Sequence, residues 1–161
     1  LKVEGRMRGT YYIATVISCY RNLIDAYYNN NWTKSNLERN LKLLSRVANR
    51  ESTSQYFMNE ATYKDQYYLD RMEVSNQDFL GLILDYDEKT SYATIEQRNY
   101  FKKGDKVNIF GPEKCDFDFV ITDILNENNE SIEIARHPKE ILKIKVPRSV
   151  CKDSMMRIWI N

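Results

Sequence analysis

The amino-acid sequence predicts an α+β protein, an N-terminal helical segment followed by a small all-β C-terminal barrel. From Met7 to Ala48 apolar residues recur at the three-to-four spacing of amphipathic helices. From Asp78 onward they fall instead into short runs of β-branched and aromatic residues divided by turn clusters. Residues 49–77 follow neither period, so three segments are expected: 1–48, a connecting stretch 49–77, and a barrel over 78–161.

The opening Leu1-Lys2-Val3-Glu4 alternates apolar and charged side chains and Gly5 breaks the alternation, so it reads as strand, tight turn, helix. A single strand leaves backbone donors and acceptors that need neighbouring strands. The expectation is therefore the C-terminal part of a larger protein. The first helix should run from Met7 to about Asn30. Its stripe would be Tyr12, Val16, Tyr20, Leu23 and Tyr27, widened by Ile13, Ile17 and Ile24, and the run Asn29-Asn30-Asn31 would end it. A second helix should start at Ser35, where Ser35 and Glu38 have capping-box spacing, and bury Leu37, Leu41, Leu44 and Ala48. The stretch 49–77 is polar with scattered aromatics, Tyr56, Phe57, Tyr63, Tyr67 and Tyr68. A connection of that length is functional or an interdomain linker.

Strands are expected at 79–86, 91–98, 105–111, 117–125, 131–135, 141–146 and 155–160. Turn chemistry separates them at Asp87-Glu88-Lys89-Thr90, Lys103-Gly104-Asp105, Gly111-Pro112, 126–130 and His137-Pro138. Leu142, Ile144 and Val146 alternate with Lys143 and Lys145, giving one apolar and one charged face. A domain of this size holds a modest core, close to the point where extra packing helps.

The 161 residues carry a net charge of +1, split between residues 1–77 (11 Lys+Arg against 8 Asp+Glu, net +3) and residues 78–161 (13 against 15, net −2). Neither half has the basic excess that marks a nucleic-acid binder by itself, so contact with RNA would need a local patch. No apolar run approaches the length of a membrane span, and no segment has the pattern of a signal peptide. The three cysteines, Cys19, Cys115 and Cys151, are odd in number and far apart, and are expected to be reduced packing residues of a cytoplasmic protein.

Two sets of fragments go beyond pattern. Lys2-Val3-Glu4-Gly5-Arg6-Met7, Tyr12-Ile13-Ala14-Thr15-Val16 and Tyr20-Arg21 resemble the end of the catalytic domain of the collagenase-like peptidase family U32. Phe79-Leu80-Gly81-Leu82-Ile83-Leu84-Asp85-Tyr86, Glu96-Gln97-Arg98-Asn99, Phe101-Lys102-Lys103-Gly104-Asp105, Phe110-Gly111-Pro112, Ala135-Arg136-His137-Pro138 and Asp153-Ser154-Met155-Met156-Arg157 resemble its C-terminal barrel. The chain departs from the family at Ser54-Gln55-Tyr56-Phe57, where a Thr-Gly-Phe-Tyr segment is usual, and at Lys152, where a glycine is usual. The resemblance implies a catalytic (β/α) barrel whose last strand and helices would be residues 1–48, joined to the β-barrel. It also implies that a cysteine-rich segment, thought to hold an iron–sulfur cluster, lies upstream. None of the three cysteines matches a cluster position, so no cofactor is expected in this chain. Family members are named as peptidases or linked to base hydroxylation in transfer or ribosomal RNA, and fold does not choose between these.

Lys2 and Glu4 would share one side of the last strand, with Arg6 at the rim where barrel active sites gather; they are the weak catalytic candidates, set against a structural ion pair. Arg98, Lys102, Lys103 and Lys106, with Lys139, Lys143, Lys145 and Arg148, would form a substrate- or RNA-binding patch if their strands share a surface, or else are solvated strand lysines. His137 has no partner at ligand spacing and reads as a turn residue, while Arg136 would pair with a carboxylate at the rim. Asp85, Asp87 and Glu88 read as a solvated hairpin turn, too short to supply a calcium site. No metal site is expected, and glycine-rich phosphate loops, serine-hydrolase elbows and zinc-protease helices have no counterpart.

The first expectation is a noncatalytic substrate-binding or docking portion of a collagenase-like peptidase-family enzyme, whose family activity is proteolysis. The alternative is the RNA-binding barrel of an enzyme that hydroxylates bases in transfer or ribosomal RNA. A third is a barrel that only stabilises the enzyme or its self-association. The expected partners are an upstream catalytic domain and a protein or RNA substrate, without a membrane.

Overall fold

Helical spacing in the first part of the chain produces α1 (Thr10–Tyr28) and α2 (Lys34–Val47), which pack on each other. The computed structural model describes residues 1–47, 57–58, 60, 62–63, 77–113 and 115–160. Two units are distinguished, Leu1–Asn76 and Gln77–Asn161. Most of the aromatic stretch 49–77 lies outside the described residues, as does Ala48; Phe57 and Tyr63 are described and exposed.

The asparagine run does end α1. Asn30 adopts φ 53, Asn31 N–H donates to the Ala26 carbonyl (3.0 Å) and Asn30 N–H to that of Tyr27 (3.2 Å). This is the reciprocal bonding of a left-handed helix stop, with asparagine in place of glycine. α2 begins at Lys34, and its cap lies two residues before the expected one. Thr33 Oγ1 accepts the Asn36 N–H at 3.1 Å, so Thr33, rather than Ser35, satisfies the free end.

Both helices bury a seam rotated from the expected stripe. α1 buries Tyr11, Thr15, Val16, Cys19 and Ala26 and leaves Tyr20 and Tyr27 exposed, while α2 buries Asn40, Leu43 and Val47 and leaves Leu41 54% exposed. A wide apolar stripe does not say which of its edges meets a partner. Asn40 is accommodated because its Nδ2 donates to the Asn36 carbonyl and side chain (2.8 and 2.9 Å). Residues 1–9 form no strand, and the described residues of the helical unit include none for them to pair with; a turn closes there through Arg8 N–H to the Gly5 carbonyl (3.0 Å).

The second unit contains β1 (Phe79–Asp87), β2 (Tyr92–Gln97), β3 (Phe101–Lys102), β4 (Lys106–Phe110), β5 (Asp116–Val120), β6 (Ile124–Leu125), β7 (Ile134–Ala135), β8 (Ile141–Lys145) and β9 (Met155–Ile158). Seven form one antiparallel sheet in the order β5-β4-β9-β1-β2-β8-β6, and β3 pairs with β7. The expected strand 117–125 is broken, and the break closes the barrel. β5 and β6 are the two edges of the sheet yet only residues 121–123 separate them, so the sheet must curl until its edges come near each other. The link is held by Ile121 N–H to the Asp105 carbonyl (3.0 Å) and Gly104 N–H to that of Ile121 (2.8 Å).

Alternation sets the interior. Ala93 and Ile95 of β2 and Leu142 and Ile144 of β8 are fully enclosed with Ile83, Val107, Ile109 and Met156, while Tyr92, Thr94 and Lys143 face outward. Each such aliphatic side chain contributes about 1.5–3 kcal/mol by burial. Gly81 lets β1 lie close to β2, because a Cβ there would stand 2.5 Å from Ile95 Cδ1 and 2.9 Å from the Glu96 carbonyl oxygen.

Candidate nucleic-acid interface

The antiparallel register of β2 and β8 sets Tyr92 opposite Lys145 and Thr94 opposite Lys143 on the outer face. Beside them the closing link brings in Asp123, which accepts the Tyr92 hydroxyl at 2.7 Å and the Ser131 hydroxyl at 2.8 Å. Lys103 donates to Ser131 (2.8 Å) and Glu133 (3.0 Å) and stands 3.3 Å from Asp123. The Tyr92 hydroxyl above all, then Ser131 and Lys103, hold the Asp123 carboxyl at about 2, well below its ordinary value. The same bond pushes the Tyr92 phenol up, and Glu133 foremost raises Lys103. These charges hold the fold together. Lys143 donates to Asn129 (2.6 Å), and the Lys145 ammonium lies 5.9 Å from the Tyr92 ring centre.

The remaining basic candidates are on other parts of the barrel. Lys106 belongs to β4, three places from β2 in the sheet order, and its ammonium lies 3.5 Å over the Trp159 ring, whose Nε1 donates to Asp118 (3.0 Å). The Arg148 guanidinium covers Phe117 at 4.4 Å. Arg98 pairs with Glu96, while exposed Lys102, Lys139 and Arg136 have no side-chain partner among the described residues. The carboxylate expected for Arg136 is therefore not found. The structure does not bring the eight basic residues to one surface: Lys103, Lys143 and Lys145 lie around Tyr92, Asp123 and the 126–131 turn, while Lys106 and Arg148 cover other rings.

Lys2 and Glu4 do stand together, Nζ to Oε1 at 3.2 Å, but with side chains 86% and 77% exposed, and Arg6 is exposed as well. Such a pair contributes about 0–1 kcal/mol. The hairpin carboxylates behave as read from the sequence. Asp87 accepts the Thr90 hydroxyl (2.7 Å) and the Lys89 N–H (2.9 Å), which lower its pKa. His137 sits in a turn closed by Glu140 N–H to its carbonyl (3.1 Å).

All three cysteines are thiols outside any disulfide, Cys19 buried and the others half-buried. Burial, and then the Glu113 carboxylate that accepts its S–H at 3.5 Å, raise the Cys151 thiol. Among the described residues no group of three or more His, Cys, Asp or Glu is placed to hold a metal ion. An iron–sulfur cluster held by four thiolates does not fit these residues.

Sequence reasoning missed Tyr92, Asp123, Ser131 and Trp159 as partners of the lysines. Tyr92 and Asp123 are 31 residues apart, and only barrel closure joins them. A polar residue within a strand-like run, Asp123 in 117–125, was the one available signal.

Comparison with known proteins matches the helical pair and the curled antiparallel sheet to two models of one family. The peptidase family U32 model matches residues 1–67 and the U32 C-terminal domain model residues 75–157. The chain belongs to peptidase family U32. It is 40% identical over 157 residues (98% of the chain, 37% of the relative) to tRNA hydroxylation protein P1 of Bacillus subtilis. It is 27% identical over 112 residues (69% of the chain, 31% of the relative) to a collagenase of Porphyromonas gingivalis. The crystal structure of the C-terminal domain of a U32 family protein from Geobacillus thermoleovorans matches 52% of this chain and 94% of its own, at 44% identity and a TM-score of 0.50. The chain thus spans about a third of the length of these curated relatives. No helix among the described residues is long and apolar enough to cross a membrane.

Proposed function

We infer that the chain is a noncatalytic, C-terminal portion of a U32 enzyme of transfer RNA hydroxylation, and that its barrel contacts the RNA. One observation carries this reading: the likeness to a tRNA hydroxylation protein extends over 98% of the chain at 40% identity. The collagenase likeness is shallower and covers 69%. It supports the second reading, a module that holds a protein substrate for proteolysis. In either case the reactive groups belong to a catalytic (β/α) barrel partner domain, with any iron–sulfur cluster bound there, and the setting is the cytoplasm.

The purified chain, titrated with fluorescein-labelled transfer RNA at low salt and separately with gelatin, separates the two readings. RNA binding that weakens steeply with salt, without gelatin binding or cleavage, is the expected result. Gelatin binding with no RNA binding at low salt would overturn the first reading in favour of the second.

A further inference from the structure

The β2–β3 corner and the β7–β8 loop lie side by side. Gln97 N–H donates to the Glu140 carbonyl (2.9 Å), Lys139 N–H donates back to that of Gln97 (2.8 Å), and β3 pairs with β7 through Phe101 with Ala135 and Lys102 with Ile134. These bonds bring residues 98–102 and 136–139, remote in sequence, to one rim of the barrel. Arg98, Tyr100, Lys102, Arg136 and Lys139 are all exposed there, and Lys139 holds its place at a left-handed φ of 68.

The corner is rigid. Arg98 and Asn99 N–H groups donate to the Leu80 carbonyl (2.8 and 3.3 Å), and Asn99 Nδ2 donates to that of Phe79 (2.7 Å). Tyr100, fixed between them, is 55% exposed and has no ring partner among the described residues. Elsewhere on the barrel the rings of Trp159 and Phe117 are already covered by Lys106 and Arg148, and the Tyr92 hydroxyl is committed to Asp123. Of the nearby acids, Glu96 is paired with Arg98, Asp105 accepts the Lys102 N–H (3.0 Å), and Glu140 adjoins Lys139 in the chain. Lys102, Arg136 and Lys139 have no side-chain partner among the described residues.

We propose that this rim is the RNA-contacting surface, Tyr100 stacking on an unpaired base of transfer RNA while Lys102, Arg136 and Lys139, with Arg98, meet the flanking phosphates. An open aromatic face on a hydrogen-bonded corner, among cations that no side chain pairs, is what single-stranded nucleotides require. The proposal rests on the transfer RNA reading above and adds to it the place of contact.

The test is salt-dependent anisotropy of labelled transfer RNA with the whole chain and exposed-site variants whose circular dichroism matches the parent. Tyr100→Ala should weaken binding by about tenfold, whereas Tyr100→Phe should bind like the parent. Lys102→Glu with Arg136→Glu should weaken it further and lower the salt slope by about one for each lost phosphate contact. The control pair Lys89→Gln and Lys152→Gln, exposed lysines outside the basic groups described above, should stay within about threefold of the parent. Rim variants that bind like a parent that itself binds RNA would overturn the rim and leave the transfer RNA reading standing. A parent chain that binds no RNA would remove both.

Discussion

Asp123→Asn removes one charge from the network that ties the barrel-closing link to β2 and the β3–β4 turn. The carboxyl is held at about 2 against an ordinary 3.8, a difference equivalent to about 2.4 kcal/mol. Its side chain is 26% exposed, and solvent screening brings the expected contribution to about 1–2 kcal/mol. The sign follows from a folded-state value below the unfolded one. The contribution is complete above about pH 5 and is lost as the pH falls through 3.8 toward 2. Urea denaturation followed by Trp159 fluorescence, in a Trp32→Phe background so that only the barrel reports, measures it directly. The variant should be less stable than its parent by about 1–2 kcal/mol at neutral pH, and the two should converge near pH 2. A gap of equal size at both pH values would show that Asp123 acts through shape alone and would refute the electrostatic argument.

Other substitutions test the packing. Gly81→Ala places a methyl 2.5 Å from Ile95 Cδ1 and 2.9 Å from a carbonyl oxygen that cannot move aside, and should lower stability by about 1–3 kcal/mol or more in the same urea assay. Arg157→Ala removes a side chain from a residue that is 1% exposed, donates to Asn108 (2.8 Å) and lies over Phe110 at 4.0 Å; the cavity and the Asn108 oxygen left without its donor should together cost about 3–5 kcal/mol. Thr33→Ala deletes the α2 cap and should cost the helical unit about 1 kcal/mol, read as a lower melting temperature by circular dichroism.

Local chemistry was legible in the sequence, and long-range pairing was not. The alternation in 141–146 located β8 and its buried face, the asparagine run marked the end of α1, and the carboxylates after Leu84 formed the turn they announced. These signals lie within a few residues of what they specify. The break in 117–125 was hidden because Phe117, Phe119, Ile121 and Ile124 are all buried, first against one edge of the sheet and then against the other. Apolar content cannot distinguish one long strand from two short ones. The helix faces were misplaced for a related reason: the seam follows small or polar residues such as Thr15, Cys19 and Asn40, whereas the expected stripe was drawn through the larger tyrosines, which stay outside.

The basic patch was half legible. Composition identified the lysines and arginines, but whether each is neutralised depends on groups such as Asp123 and Glu133, which only the closed barrel brings to Lys103. Tyr100 was passed over because it falls between the expected strands 91–98 and 105–111, where nothing in the sequence sets one tyrosine apart. Its exposure comes from the corner between β2 and β3.

Mass spectrometry of nucleosides from transfer RNA, in a strain from which the gene encoding this chain is deleted, tests the functional account most directly. The account predicts that a hydroxylated nucleoside, heavier than its precursor by one oxygen atom, disappears. It should return with the whole gene and fail to return with a gene lacking the codons for residues 78–161. Unchanged hydroxylation in the deletion strain, accompanied by loss of a gelatin-cleaving activity, would contradict it.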